Sequence, residues 1–311
     1  MNTESKTAEV QENLEMFKAM RPLSTPALFW REIRHDPVAL GGLIVITFIL
    51  LFCTIYGGII GSAQAMEIDL WNRYQPPSWV EGGAPGMLLG TDQGGRNVFH
   101  LLIVSARNSI ALGWSVAILS LIIGTVVGLI SGYFGGHTDN IIMRLVDTMI
   151  MMPGFMVIIV LVTVLDRTMI NFIFILVLFG WMGSARLIRA LALQQRNMDY
   201  VSASKTLGTR SITIILRKVF PNMVSIISAN VVLILSTSIG IEVTLTILGF
   251  GMRPGTPSIG YLLINAMNLT NLANRWWLWA PTILLLLTIM LSINFVGQAV
   301  QRAADPRQRL V

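Results

Sequence analysis

"SASKTLGTRSITIILRKVFPN", residues 202–222, is a basic segment set between two long apolar runs. Seven Lys and Arg fall between residues 184 and 221. At roughly 3 kcal/mol each, their transfer into hydrocarbon would cost about 20 kcal/mol, so the segment must lie in water. Ala203, Leu207 and their neighbours favour a short helix that Gly208 can close with a left-handed cap. A second short helix is expected over about 211–220, stopping near Pro221, whose ring also suits the first turn of a following span. The expected product is a helix-turn-helix outside the membrane, joined to a span on each side. On physics alone, a basic loop that only enforces topology remains the other reading.

Around this segment the chain is unusually apolar. Of its 311 residues, 54% are hydrophobic and 12% charged, with a mean hydropathy of +0.68, well outside the range of water-soluble domains. Six runs are long enough to cross about 30 Å of hydrocarbon as helices, at 38–61, 109–132, 141–165, 169–190, 222–250 and 279–300. Helices are required because a lipid-exposed backbone must satisfy its own hydrogen bonds, and the alternation of a barrel strand is missing. The first run follows a 37-residue polar head, which argues against a cleaved signal. Cys53, the single cysteine, falls inside that run and reads as a small apolar side chain.

The basic residues also set the orientation. With the N-terminus in the cytoplasm, six crossings leave 16 of the 22 Lys and Arg inside, as the positive-inside rule prefers. Both termini are therefore expected to be cytoplasmic.

Residues 1–26 read as a tail without a core, and "LFWREIRHDPVALGG" (28–42) as an amphipathic lead anchored by Trp30, Arg31 and Arg34. The segment after the first span contains "YQPPSW" (74–79) and "GTDQGGRNVFHLLIVSAR" (90–107), whose Pro and Gly predict irregular surface structure. From Asn97 onward, Val98, Leu101, Leu102 and Ala106 recur at helical spacing, which predicts an amphipathic surface helix leading into the second span. In that span Gly124, Gly128 and Gly132 share one face, open either to a helix of this chain or to another subunit. Arg144 and Asp147 are three apart and can pair on one helix face. Glu242 is the one acid far from any helix end, so it should face protein, either at a path or between packed helices. "MRPGTPSIGYLL" (252–263) reads as an external turn, and the tryptophans of "NRWWLWAP" (274–281) as an interfacial belt.

Little here points to catalysis. Lys205-Thr206 lacks the glycines of a phosphate-binding loop, so the chain is not expected to bind or hydrolyse ATP by itself. His35, His100 and His137 are far apart and have no metal-ligand spacing; they read as solvated or interfacial. No nucleophile elbow, zinc-protease motif or dinucleotide fingerprint is present.

The spacing within 199–221 resembles the cytoplasmic "EAA" signature of ABC importer membrane subunits: an E-A-A triplet, a glycine, then a proline thirteen residues beyond it. Ser202, Ala203 and Ser204 stand at the triplet, Gly208 at the glycine, Phe220 at the usual leucine and Pro221 at the proline. Serine replaces the acid at 202, and Lys218 stands where an aliphatic residue is common. Further along the chain, "WREIRHDPVALGGL", "GTDQGGRNVFHLLIVSARNSI" (with Asn97 for the usual Asp), "EVTLTILGFGMRPGTPSIGYLL" and the terminal "ADPR" are similar to segments of the second permease of oligopeptide, dipeptide and nickel importers.

That resemblance implies an all-α membrane protein of the type I ABC importer permease fold, with six transmembrane helices and a cytoplasmic helix-turn-helix coupling segment. It divides the chain into a cytoplasmic tail and lead (1–37), a first span (38–61), an external segment (62–108), a five-helix core (109–300) with its coupling loop at 191–221, and a tail (301–311). The implied partners are a homologous permease, two ABC ATPase subunits that bind ATP and Mg, and an extracytoplasmic binding protein. ATPase coupling falls on Ser202, Ala203, Ser204, Lys205, Gly208, Arg210, Lys218, Phe220 and Pro221; the path or helix packing on Glu242, Asp147 and Arg144; binding-protein contact on Asp92, Arg96, Arg253 and Pro254. Peptides are the first substrate expected, with nickel or other small solutes behind. An ion-coupled secondary transporter and a membrane scaffold are the readings from other classes.

Overall fold

The structure is a computed structural model that describes residues 33–34, 36–83, 85–253 and 255–304. Residues 1–32, His35, Ala84, Pro254 and most of the terminal "ADPR" lie outside the described residues.

The first span is α1 (Pro37–Ala65). Asp36 caps it by accepting from Val38 N at 2.9 Å and Ala39 N at 3.1 Å, satisfying two of the orphan amides of a helix start. A 3-10 turn (Leu70–Asn72) follows in the irregular segment. Next comes α2 (Val98–Phe134), capped by the Asn97 side chain on Phe99 N and His100 N. The predicted surface helix and second span are thus one rod of about 55 Å at 1.5 Å per residue. The lead does not turn because residues 98–112 bury apolar side chains on every side, including Leu101, Val104 and Leu112, where a surface helix would leave one face to water.

The third span departs from expectation. It is two helices, α3 (Gly136–Met151) and α4 (Gly154–Val164), bent by 78°. Pro153 has no amide hydrogen and pushes Met152 into extended backbone (φ −66, ψ 142), so a continuous helix cannot pass through it. The fourth span is α5 (Met169–Arg196). Then come α6 (Asp199–Thr206), a turn with Gly208 at φ +74, and α7 (Ser211–Ile214).

No separate second arm ends at Pro221. A single π turn (Ile215–Val219) carries α7 directly into α8 (Phe220–Ile247), so residues 211–247 form one helical run. Phe220 N–H reaches back five residues to Ile215 O. This wider turn is how the helix accommodates a proline that cannot donate. Two short helices, α9 (Ile259–Ala266) and α10 (Leu269–Asn274), follow where only a turn was expected; Ser258 caps α9 on Tyr261 N. The last span is α11 (Trp276–Ala304).

Five of these helices are long and apolar enough to cross a membrane, and the bent pair makes a sixth if counted as one span. Among the described residues there is no strand, only an isolated bridge between Thr91 and Asn97. The rod α2 is the centre of the fold. Its glycines decide the neighbours: a Cβ on Gly124, Gly128 or Gly132 would come within 2.6 Å of Ser184, Ala185 or Ala192 on α5, and one on Gly113 within 2.7 Å of Ile239 on α8. The glycine face therefore serves packing within the chain. On the far side, α1 joins α2, α8 and α11 in a core of Ile46, Ile49, Ile103, Ile239, Ile289 and their neighbours. An Arg302–Asp36 ion pair ties the end of α11 to the start of α1.

Candidate functional site

The basic hairpin is built on an apolar foot. Val201, Ile214 and Val219 are fully buried with Ile188 and Ala192 of α5 and Tyr133 of α2. Lys205 Nζ stands 5.2 Å from the Tyr133 ring centre, and Asn222 Nδ2 donates to Tyr200 OH at 3.2 Å. The hairpin is thereby fastened to three spans at once. Leu207 N donates to Ala203 O, and Thr209 N to Ser204 O, closing α6 through the left-handed Gly208.

Above the foot the surface is open. Ser202, Ala203, Lys205, Gly208, Arg210, Lys218 and Pro221 are exposed, whereas Ser204 and Phe220 are half-buried. Leu207 is 84% exposed and Ile212 60%. A rigid, basic turn thus presents two apolar knobs to its surroundings, an arrangement suited to a groove on a partner.

Glu242 lies elsewhere, fully buried where α8, α2 and α9 meet. Ser109 Oγ donates to its Oε2 at 3.0 Å, and Thr246 Oγ1 lies 3.0 Å from Oε1. Ile259 N donates to the same Ser109 hydroxyl at 3.0 Å, and Asn108 Nδ2 to Pro257 O at 2.8 Å. The acid joins helices inside the subunit. Ser109 and Asn108 could not have been picked from the sequence, because 133 residues separate Ser109 from Glu242 and neither stands out in its run.

Arg144 and Asp147 do not pair. Asp147 instead meets Arg186 of α5 at 2.5 Å, because α5 runs alongside α3 and reaches the acid from across the cleft. Next to it, Arg189 clamps Asp139 with bonds of 2.5 and 2.6 Å, and Ser131 also donates to Asp139.

In the segment between α1 and α2, Asp92 and Arg96 are only 6% and 5% exposed. Asp92 accepts from Gly94 N, Arg96 N and Arg96 Nε at 2.8–3.0 Å, and Arg96 Nη1 donates to Tyr261 OH at 2.9 Å. Burial by itself would lower the Arg96 pKa; the Asp92 carboxylate and the Tyr261 hydroxyl outweigh it, and the net shift is upward. Gly95, at φ +73, admits no side chain, since a Cβ would lie 1.6 Å from Asp69 O. Both charged side chains thus face inward and shape the loop. Arg253 is exposed and lies 3.9 Å from Asp166.

Five or six apolar helices around a tightly packed core define a multi-pass membrane protein. Residues 124–310 match the family described as the binding-protein-dependent transport system inner membrane component, and residues 25–77 match the N-terminal TM domain of oligopeptide transport permease C. The chain belongs to this family of transport-system membrane components. It is 37% identical over 278 residues to the oligopeptide transport system permease protein OppC of Lactococcus lactis subsp. cremoris, covering 89% of this chain and 93% of that protein. To the dipeptide transport system permease protein DppC of Haemophilus influenzae it is 33% identical over 279 residues, covering 90% and 94%. The di/tripeptide permease DppC of Pseudomonas aeruginosa is 32% identical over 294 residues, covering 92% and 96%.

Proposed function

We propose that the chain is the permease subunit of an ATP-driven importer for di- or oligopeptides. It pairs with a homologous permease, and the two form the path between them. A binding protein delivers the peptide on the outer side, and two ATPase subunits, which hold the ATP and Mg, dock on the basic hairpin in the cytoplasm. Both termini then lie in the cytoplasm. The observation that carries the reading is the alignment, over about nine-tenths of their length, with relatives named as peptide permeases.

The hairpin supports the coupling part of this reading. Its exposed knobs, Leu207 and Ile212, are no part of the buried cluster that forms its foot, while that foot is clamped to α2, α5 and α8. A push on the turn is therefore passed to the spans as a rigid-body tilt. On the outer side, the loop held by Asp92 and Arg96 and the exposed Arg253 offer a surface for the binding protein, with the buried ion pair fixing the loop's shape.

The test is uptake of a labelled peptide by proteoliposomes that hold the assembled complex and its binding protein. Uptake is expected with internal ATP and no ion gradient. Uptake driven by an ion gradient without ATP would instead identify a secondary transporter.

A further inference from the structure

The geometry points to the cleft between α3 and α5 as a wall of the translocation path, with Arg144 as the cation that meets the C-terminal carboxylate of the passing peptide. This rests on the peptide-importer reading above.

Depth comes first. Arg196 Nη1 donates to Phe134 O at 3.0 Å, so the end of α5 is pinned to the corner where α2 gives way to α3. Arg144 lies about 12 Å along α3 from that corner, and Arg186 about 15 Å back along α5, at 1.5 Å per residue. α5 is one of the five spans and carries Arg186 and Arg189, basic residues that the sequence alone places in water with the hairpin; α3 is half of the bent pair that makes a sixth if counted as one span. Charges on membrane-spanning helices face protein or a water-filled cavity, because lipid solvates them badly.

This chain does not cover them. Arg144 is exposed, and the Arg186 and Asp147 side chains are 49% and 48% exposed. The adjacent face of α5 is already closed against the glycines of α2, so the cleft opens away from the body of the subunit. Something else, with water, must therefore lie opposite.

The charges in the cleft do not balance. Arg186 pairs with Asp147 and Arg189 with Asp139, but Arg144 makes no ion pair among the described residues. One guanidinium is left over, in a cleft of about 360 Å³ also lined by Asn140 and Met143. Every unmodified peptide carries one carboxylate at its C-terminus, whatever its side chains, and a guanidinium fork binds such a group with two parallel bonds. The half-solvated setting keeps that bond weak, as a path needs if its cargo is to leave.

The test compares Arg144→Lys, Arg144→Gln and Arg144→Glu in the reconstituted complex, with saturating binding protein. The substrates are one peptide as its free acid and as its C-terminal amide. Free-acid uptake should fall about 5- to 10-fold in Arg144→Gln, fall further in Arg144→Glu and fall least in Arg144→Lys, which keeps the charge but loses the two-bond fork. Amide uptake, scaled to wild type, should not follow charge; if wild type carries no amide, the Lys, Gln, Glu order for the free acid decides alone. Three results would overturn the inference: equal losses for both substrates, no loss in Arg144→Glu, or variants that fail to assemble, which would make Arg144 a subunit contact. A wild-type complex that imports neither peptide with ATP would instead count against the underlying function.

Discussion

Ser109 on α2 donates a 3.0 Å hydrogen bond to Glu242 on α8 and accepts one, also 3.0 Å, from the Ile259 amide at the start of α9. One hydroxyl thus joins three helices through an acid that is fully buried. The joint explains why a costly residue sits mid-span: it is buried and hydrogen-bonded inside the protein.

This makes Glu242 a test of structure against transport. Glu242→Gln keeps an acceptor for Ser109 and should leave peptide uptake within about 2-fold of wild type, with little change in stability. Glu242→Leu strands the Ser109 hydroxyl and should destabilise the subunit by about 1–3 kcal/mol, read as an earlier thermal transition in detergent. A Glu242→Gln subunit that melts normally but cannot transport would place the charge in the mechanism after all.

The contact between α2 and α5 has no slack. A Cβ on Gly128 would lie 2.6 Å from Ala185 O and 2.9 Å from Arg189 N, both backbone atoms that cannot swing aside. Gly128→Val should therefore cost about 1–3 kcal/mol through overpacking and lower the yield of folded protein. Val at Gly183, where nothing lies within 4 Å, is the control and should be tolerated.

In the loop between α1 and α2, Asp92 holds Arg96 at 2.6 Å with both nearly sealed from water. Asp92→Ala leaves a buried, unpaired guanidinium, which should cost about 3–5 kcal/mol. The loss is local, so hydrogen exchange should quicken across residues 66–97 while the spans stay protected. Arg96 has a raised pKa, so its contribution is fully present below the pKa of the free side chain and is lost only as the pH climbs through the still higher value of the folded loop. Loop protection should consequently be insensitive to Arg96 titration across the neutral range.

Most of the architecture was legible because lipid imposes simple rules: apolar length marked the spans, and Gly208 and Asn97 marked local geometry through φ and capping. Pro153 was equally visible, but apolar residues on both sides hid the bend it makes. The helix entering α8 was misjudged because a π turn relieves Pro221, and no residue type signals a π turn. The ion pairs were the least accessible. Arg144 and Asp147 are neighbours on one helix, yet Asp147 bonds Arg186, 39 residues away, because the packing of α3 on α5 decides which cation arrives first.

Leu207 separates folding from coupling more cleanly than any other position. It is 84% exposed at the tip of the hairpin, beside Gly208, and makes no part of the apolar foot. Leu207→Asp should therefore leave the isolated subunit's melting temperature unchanged, since exposed positions of this kind move stability by less than about 0.5 kcal/mol. If the knob seats in an ATPase groove, the same change buries an unpaired carboxylate there, so the ATPase should co-purify at least about 10-fold less. Val201→Asp, six residues away and fully buried, should instead unfold the hairpin and lower the melting temperature itself. Were the Leu207→Asp subunit to keep its full complement of ATPase and its uptake, the motor would have to grip the protein somewhere other than this turn.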